Sequence, residues 1–112
     1  MTDADEEPPD NLVQLDLSQF SPADLKLIEA LGEKQKLLYR WFRRERITQP
    51  GLDQYKVYSG ARSRSPYAAY RVERYSDGTY RLMNQRSDEV LAEDRTLDAV
   101  LDKLPDDFFY SV

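Results

Sequence analysis

Between residues 67 and 86, two runs of alternating side chains flank Ser76-Asp77-Gly78-Thr79, and this stretch constrains the fold more than any other. Period-2 alternation marks a half-buried strand, and an Asp-Gly step between two such runs is a hairpin signal. Loop length then decides the pairing. A two-residue Asp-Gly loop sets Tyr75 opposite Tyr80 and Val72 opposite Met83, which mixes Tyr70 and Val72 with the other face of the next strand. A three-residue loop, Ser76-Asp77-Gly78 with Gly78 left-handed, sets Val72 opposite Leu82, Arg74 opposite Tyr80 and Glu73 opposite Arg81. This second register keeps one face apolar and predicts a Glu73–Arg81 ion pair on the other. An apolar sheet face must be covered, so helices are sought on either side of the hairpin in sequence.

Ser21-Pro22-Ala23-Asp24 is a helix start: Ser21 can cap, Pro22 suits the first helical position and Asp24 puts negative charge in the first turn. Leu25, Ile28, Leu31, Leu38, Trp41 and Phe42 fit one apolar stripe, which predicts a single helix over about 22–46 with a kink at Gly32, ended by Thr48-Gln49-Pro50-Gly51. Strands are expected at about 54–59, 67–75 and 79–86, with a short fourth at 89–92, and a polar loop runs from Gly60 to Pro66. Thr96 caps a second helix with Leu97, Val100, Leu101 and Leu104 on one face, and Pro105 stops it. The tail Asp106-Asp107-Phe108-Phe109-Tyr110 is apolar enough to fold back onto the core.

At the front of the chain, Val13, Leu15 and Leu17 alternate with polar residues and suggest a short edge strand, while the acidic, Pro-containing residues 1–11 read as a disordered tail. The expected fold class is therefore α+β: a long N-terminal helix, an antiparallel sheet of three to four strands and a short C-terminal helix, with the helices on one sheet face. The expected organisation is a tail over 1–11 and a single domain over 12–112. The α-β-β-β-α order is similar to that of double-stranded-RNA-binding domains. That family carries a Lys/Arg cluster where its last helix begins, whereas Thr96-Leu97-Asp98-Ala99-Val100 is acidic, so the resemblance stops at element order.

Charge is segregated along the chain. Residues 1–33 hold 1 basic and 9 acidic residues, 34–86 hold 13 and 4, and 87–112 hold 2 and 8, giving nets of −8, +9 and −6. The overall −5 thus conceals a basic, aromatic middle between acidic flanks. Either the flanks pack beside the middle and neutralise it, or the fold presents a basic surface to an acidic partner.

With no cysteine and no histidine, the chain has no disulfide, no thiol nucleophile, no zinc site built from those ligands and no imidazole acid/base. It carries no phosphate-loop or dinucleotide-binding glycine pattern, and its adjacent carboxylates lack calcium-loop spacing. Enzymatic activity and cofactors are therefore not expected. No apolar run approaches the ~18 residues of a membrane span, and the acidic N-terminal residues do not resemble a signal peptide. A cytoplasmic location is the default expectation.

The candidate binding residues are basic or aromatic. On the expected helix, Lys36, Arg40, Arg43 and Arg44 form a stripe at i, i+4, i+7 and i+8. On the expected open sheet face, Arg71, Tyr75 and Arg81 lie together with Glu73, and Arg62 and Arg64 sit in the polar loop. Arginine forks grip carboxylates and phosphates, and tyrosine beside arginine holds peptides or stacks bases. The ordinary explanation for each group is a solvated face of an amphipathic element. The expected function is a small binding or regulatory protein that acts on a protein partner, with nucleic acid as the alternative.

Overall fold

Ser21 begins the first helix, α1 (Pro22–Leu37), through a reciprocal cap: its hydroxyl accepts from Asp24 N at 3.1 Å and the Asp24 carboxylate accepts from Ser21 N at 3.0 Å. The computed structural model describes residues 15–62 and 66–110. After α1 come five strands, β1 (Arg40–Gln49), β2 (Leu52–Ala61), β3 (Ala68–Tyr75), β4 (Tyr80–Asn84) and β5 (Val90–Asp94). A short helix α2 (Leu97–Leu101) and a 3-10 turn (Asp106–Phe108) follow. The strands form one open antiparallel sheet in the order β1-β2-β3-β4-β5, so among the described residues β1 and β5 are its two edges.

The α+β class holds, but the element order differs from the expected one. Residues 40–49, assigned above to the end of a long helix, are β1. The helix stops because Leu38 caps it and Tyr39 adopts a left-handed φ of 60°, which turns the chain back along the sheet. Thr48-Gln49-Pro50-Gly51 is accordingly part of a β1–β2 hairpin: Gln49 pairs with Leu52, Pro50 fixes the first turn position and Gly51 takes φ 79° at the second. Sheet size rises from the expected three or four strands to five, which also removes the likeness to the RNA-binding element order. No break interrupts α1 at Gly32; the missing side chain there lets the Phe42 ring approach, since a Cβ would lie 3.0 Å from it. Leu15 to Ser18 do not form the expected edge strand and run as coil, while Val13 and the acidic tail lie outside the described residues.

The hairpin register is as expected. Val72 pairs with Leu82, Glu73 with Arg81 and Arg74 with Tyr80, and Gly78 has φ 86°. One face carries Val57, Tyr70, Val72, Tyr80 and Leu82, and it is covered by Ile28 and Leu31 of α1, by Leu97, Val100 and Leu101 of α2, and by Leu104 and Phe108. Phe108 is fully buried, so the C-terminal segment folds back as its composition suggested. Both helices therefore lie on the same side, and among the described residues no helix packs on the other sheet face. Among the described residues no helix is long and apolar enough to cross a membrane.

Candidate basic edge and aromatic hollow

Because successive strand residues face opposite sides, β1 distributes its cations in a way a helix would not. Arg40, Phe42, Arg44 and Arg46 lie on the helix-covered side, in register with Ala61, Ser59, Val57 and Tyr55. Trp41, Arg43 and Glu45 lie on the uncovered side, opposite Gly60, Tyr58 and Lys56. The predicted stripe of Lys36, Arg40, Arg43 and Arg44 therefore does not exist as one face. Lys36 lies in the last turn of α1 and sits 3.5 Å from Glu33, an exposed pair of little energetic weight.

Three of those residues nonetheless meet again. A cleft of about 460 Å³ between α1 and β1 is lined by Lys36, Arg40, Arg44 and Arg62, together with Glu29 and Glu33. Arg40 is a structural member of this wall: it is buried, its Nε donates to Ser59 Oγ at 2.9 Å and its Nη2 donates to the Asp107 carbonyl at 2.8 Å. Arg44 is exposed at the rim.

On the face away from the helices, Arg71, Tyr75 and Arg81 are brought together as expected but are held by neighbouring side chains. Arg71 donates to Glu73 at 2.9 Å, Gln85 at 2.6 Å and Asp88 at 3.0 Å. The Tyr75 hydroxyl donates to Glu73, and the Arg81 guanidinium stacks 4.9 Å from the Tyr75 ring while bridging to Glu93 at 3.5 Å. Burial opposes ionisation of Glu73, but donors from Tyr75, Gln54 and Arg71 outweigh it and hold the carboxyl below its ordinary range. The predicted Glu73–Arg81 bridge is thus replaced: Arg71, two residues along the same strand, takes that carboxylate. This group is a closed network that ties β3 to β4 and to Asp88.

A second group was not visible in the sequence. Trp41, Tyr58 and Tyr67 form an aromatic corner, with ring centroids 5.6 Å apart for Trp41–Tyr67 and 6.1 Å for Tyr58–Tyr67. Trp41 packs against Gly60, whose absent Cβ would come within 2.8 Å of the indole. With Arg43 these rings line a hollow of about 370 Å³, and Arg86 stacks on Tyr67 at 4.6 Å. The Pro50-Gly51 turn was the signal that pairs Trp41 with Gly60 and Arg43 with Tyr58; reading residues 40–46 as helical concealed it.

The arginines now sort by partner. Arg46 is held by Asp53, Arg71 by Glu73 and Asp88, Arg74 by Asp24 and Arg81 by Glu93. Arg43, Arg44 and Arg62 are exposed and, among the described residues, have no ion-pair or hydrogen-bond partner. Arg64 lies outside the described residues. No group of three or more carboxylates among the described residues is placed to hold a metal ion. In comparisons with known proteins, no family model, no curated protein and no solved structure matches the chain.

Proposed function

We propose that the chain is a small non-enzymatic binding protein that holds an acidic segment of a protein partner against the free edge of β1. The observation that carries this reading is the pair Arg43-Arg44: consecutive, exposed, without partners among the described residues, and on the edge strand of the sheet. Consecutive strand residues point to opposite faces, so the two guanidiniums bracket whatever lies along the edge. The edge itself offers unpaired backbone N–H and C=O groups, the basis of recognition by strand addition. Trp41 and Phe42, the preceding pair, give each face an apolar contact beside its cation.

A nucleic-acid reading draws support from the Trp41/Tyr58/Tyr67 hollow next to Arg43, because stacked bases and a nearby cation are the elements of single-strand binding. It is the weaker reading, since most of the remaining sheet arginines are already neutralised by carboxylates.

The test is fluorescence anisotropy with a labelled peptide of alternating Glu and Val, a matched Lys/Val peptide and a single-stranded oligonucleotide. The acidic peptide binds, binding weakens with salt, and R43A/R44A reduces affinity about tenfold, from roughly 0.7 kcal/mol for each surface ion pair lost. Equal binding of the Lys/Val peptide, or no binding at low salt, overturns the proposal. Preferential binding of the oligonucleotide selects the alternative.

A further inference from the structure

The two free edges of the sheet carry opposite charge. β1 presents Arg43 and Arg44, whereas β5 presents exposed Glu93 and Asp94, with Glu89 just before it. Charged edges ordinarily defend a sheet against edge-to-edge pairing. Opposite signs on the two edges do the reverse for a head-to-tail approach. Resting on the reading of β1 as an acid-binding edge, we propose that the acidic segment it receives is the β5 edge of a second copy of this chain.

Strand direction and register agree with this. All four strand pairs are antiparallel and the order is sequential, so β1 and β5 run the same way. A second copy added by translation, with its helices on the same side, therefore meets β5 through β1 in parallel. Setting Arg43 beside Glu93 in that junction also sets Arg44 beside Asp94 and Phe42 beside Ala92. The faces match. Arg43 and Glu93 lie on the uncovered side, opposite Tyr58 and Arg81 in their own sheets, while Arg44 and Asp94 lie on the covered side, opposite Val57 and Tyr80. The same offset ends the junction with Tyr39, 81% exposed, beside Glu89, next to Val90, 47% exposed. Glu93 already touches Arg81, but at 3.5 Å and on the surface it can accept from both guanidiniums. Such a contact is heterologous, giving open chains or a ring rather than a closed two-fold dimer.

The experiment is sedimentation equilibrium on the full chain and two charge-reversed variants, with far-UV circular dichroism to establish folding. The wild-type average mass rises with concentration at low salt and returns to the monomer near 1 M salt, where the screening length is about 3 Å. R43E/R44E has two acidic edges and E93K/D94K two basic ones, so each alone associates at least tenfold more weakly than wild type. An equimolar mixture of the two associates again, because each supplies the edge the other lacks. A wild-type chain that stays monomeric at low salt, or a mixture of folded variants that does not associate, overturns the inference. E93K/D94K keeps its β1 edge intact: if it binds the Glu/Val peptide while the wild type does not self-associate, this inference fails and the proposed function stands. If neither binding nor self-association occurs, both fail.

Discussion

Asp53 is fully buried, and four donors surround its carboxylate: Arg46 Nε at 3.2 Å, Arg46 Nη2 at 2.6 Å, Thr48 Oγ1 at 2.8 Å and Phe20 N at 3.0 Å. Burial pushes its pKa up, but the donors from Arg46, Phe20 and Thr48 prevail and leave it below the usual carboxylate range. Stability from a depressed carboxyl is present above its unfolded pKa and is lost as pH falls through the folded one. Asp53→Ala strips the acceptor from Arg46 and Thr48 of β1 and from the segment leading into α1. It costs about 2–3 kcal/mol in urea unfolding, at the low end for a broken buried pair because Arg46 still reaches water. Nothing local in the sequence marks Asp53 for this role; its partners converge only once β1 and β2 pair through Pro50-Gly51. The tyrosines act with the opposite sign. Burial first, then hydrogen bonds to Glu73 and Asp24, push Tyr75 and Tyr80 up to about 12, and burial with the Asp107 contact raises Tyr70 as well. Stability from these groups is complete below pH 10, the ordinary tyrosine value, and declines as pH climbs from there toward 12. Urea midpoints measured against pH show this decline, and in tyrosinate absorbance the native chain ionises later than the chain in denaturant.

At the scale of elements, the boundary between α1 and β1 separates what was legible from what was not. The helix start was legible because Ser21, Pro22 and Asp24 each act through their own backbone neighbourhood. The β3–β4 hairpin was legible because only one loop length aligns the apolar faces. The end of α1 was not: Leu38, Trp41 and Phe42 mimic helical spacing, and Arg43 to Arg46 are good helix formers whose propensity is overridden by ten residues of pairing with β2. Tyr39 carries the switch, at φ 60° and 81% exposed. Its side chain buries little, so substitutions there report backbone conformation. Tyr39→Val destabilises by about 1 kcal/mol in chemical denaturation, whereas Tyr39→Asn, which tolerates the left-handed region, does not. Equal effects of the two would assign Tyr39 a packing role instead.

Across the whole molecule, the −8, +9 and −6 blocks of sequence become an uneven neutralisation. The acidic flanks reach into the basic middle: Asp24 meets Arg74, Asp88 meets Arg71, Glu93 meets Arg81, and the Asp107 side chain accepts from Tyr70 at 2.6 Å. Among the described residues they leave Arg43 and Arg44 of the outer strand. The sequence posed the alternatives of a hidden or a presented basic middle, and both hold in different places: hidden over β3 and β4, presented at Arg43 and Arg44 of β1. Charge blocks were readable from composition, but which cations find carboxylates depends on strand order, and that depended on the misread β1. Chemical-shift mapping of the uniformly 15N-labelled chain titrated with the Glu/Val peptide tests the central claim most directly. Perturbations are expected along residues 40–46 and at Tyr58 and Tyr67, fading as salt is raised, with Arg71, Tyr75 and Arg81 unmoved. Perturbations centred on the Arg71/Tyr75/Arg81 network, or none along β1, would contradict it.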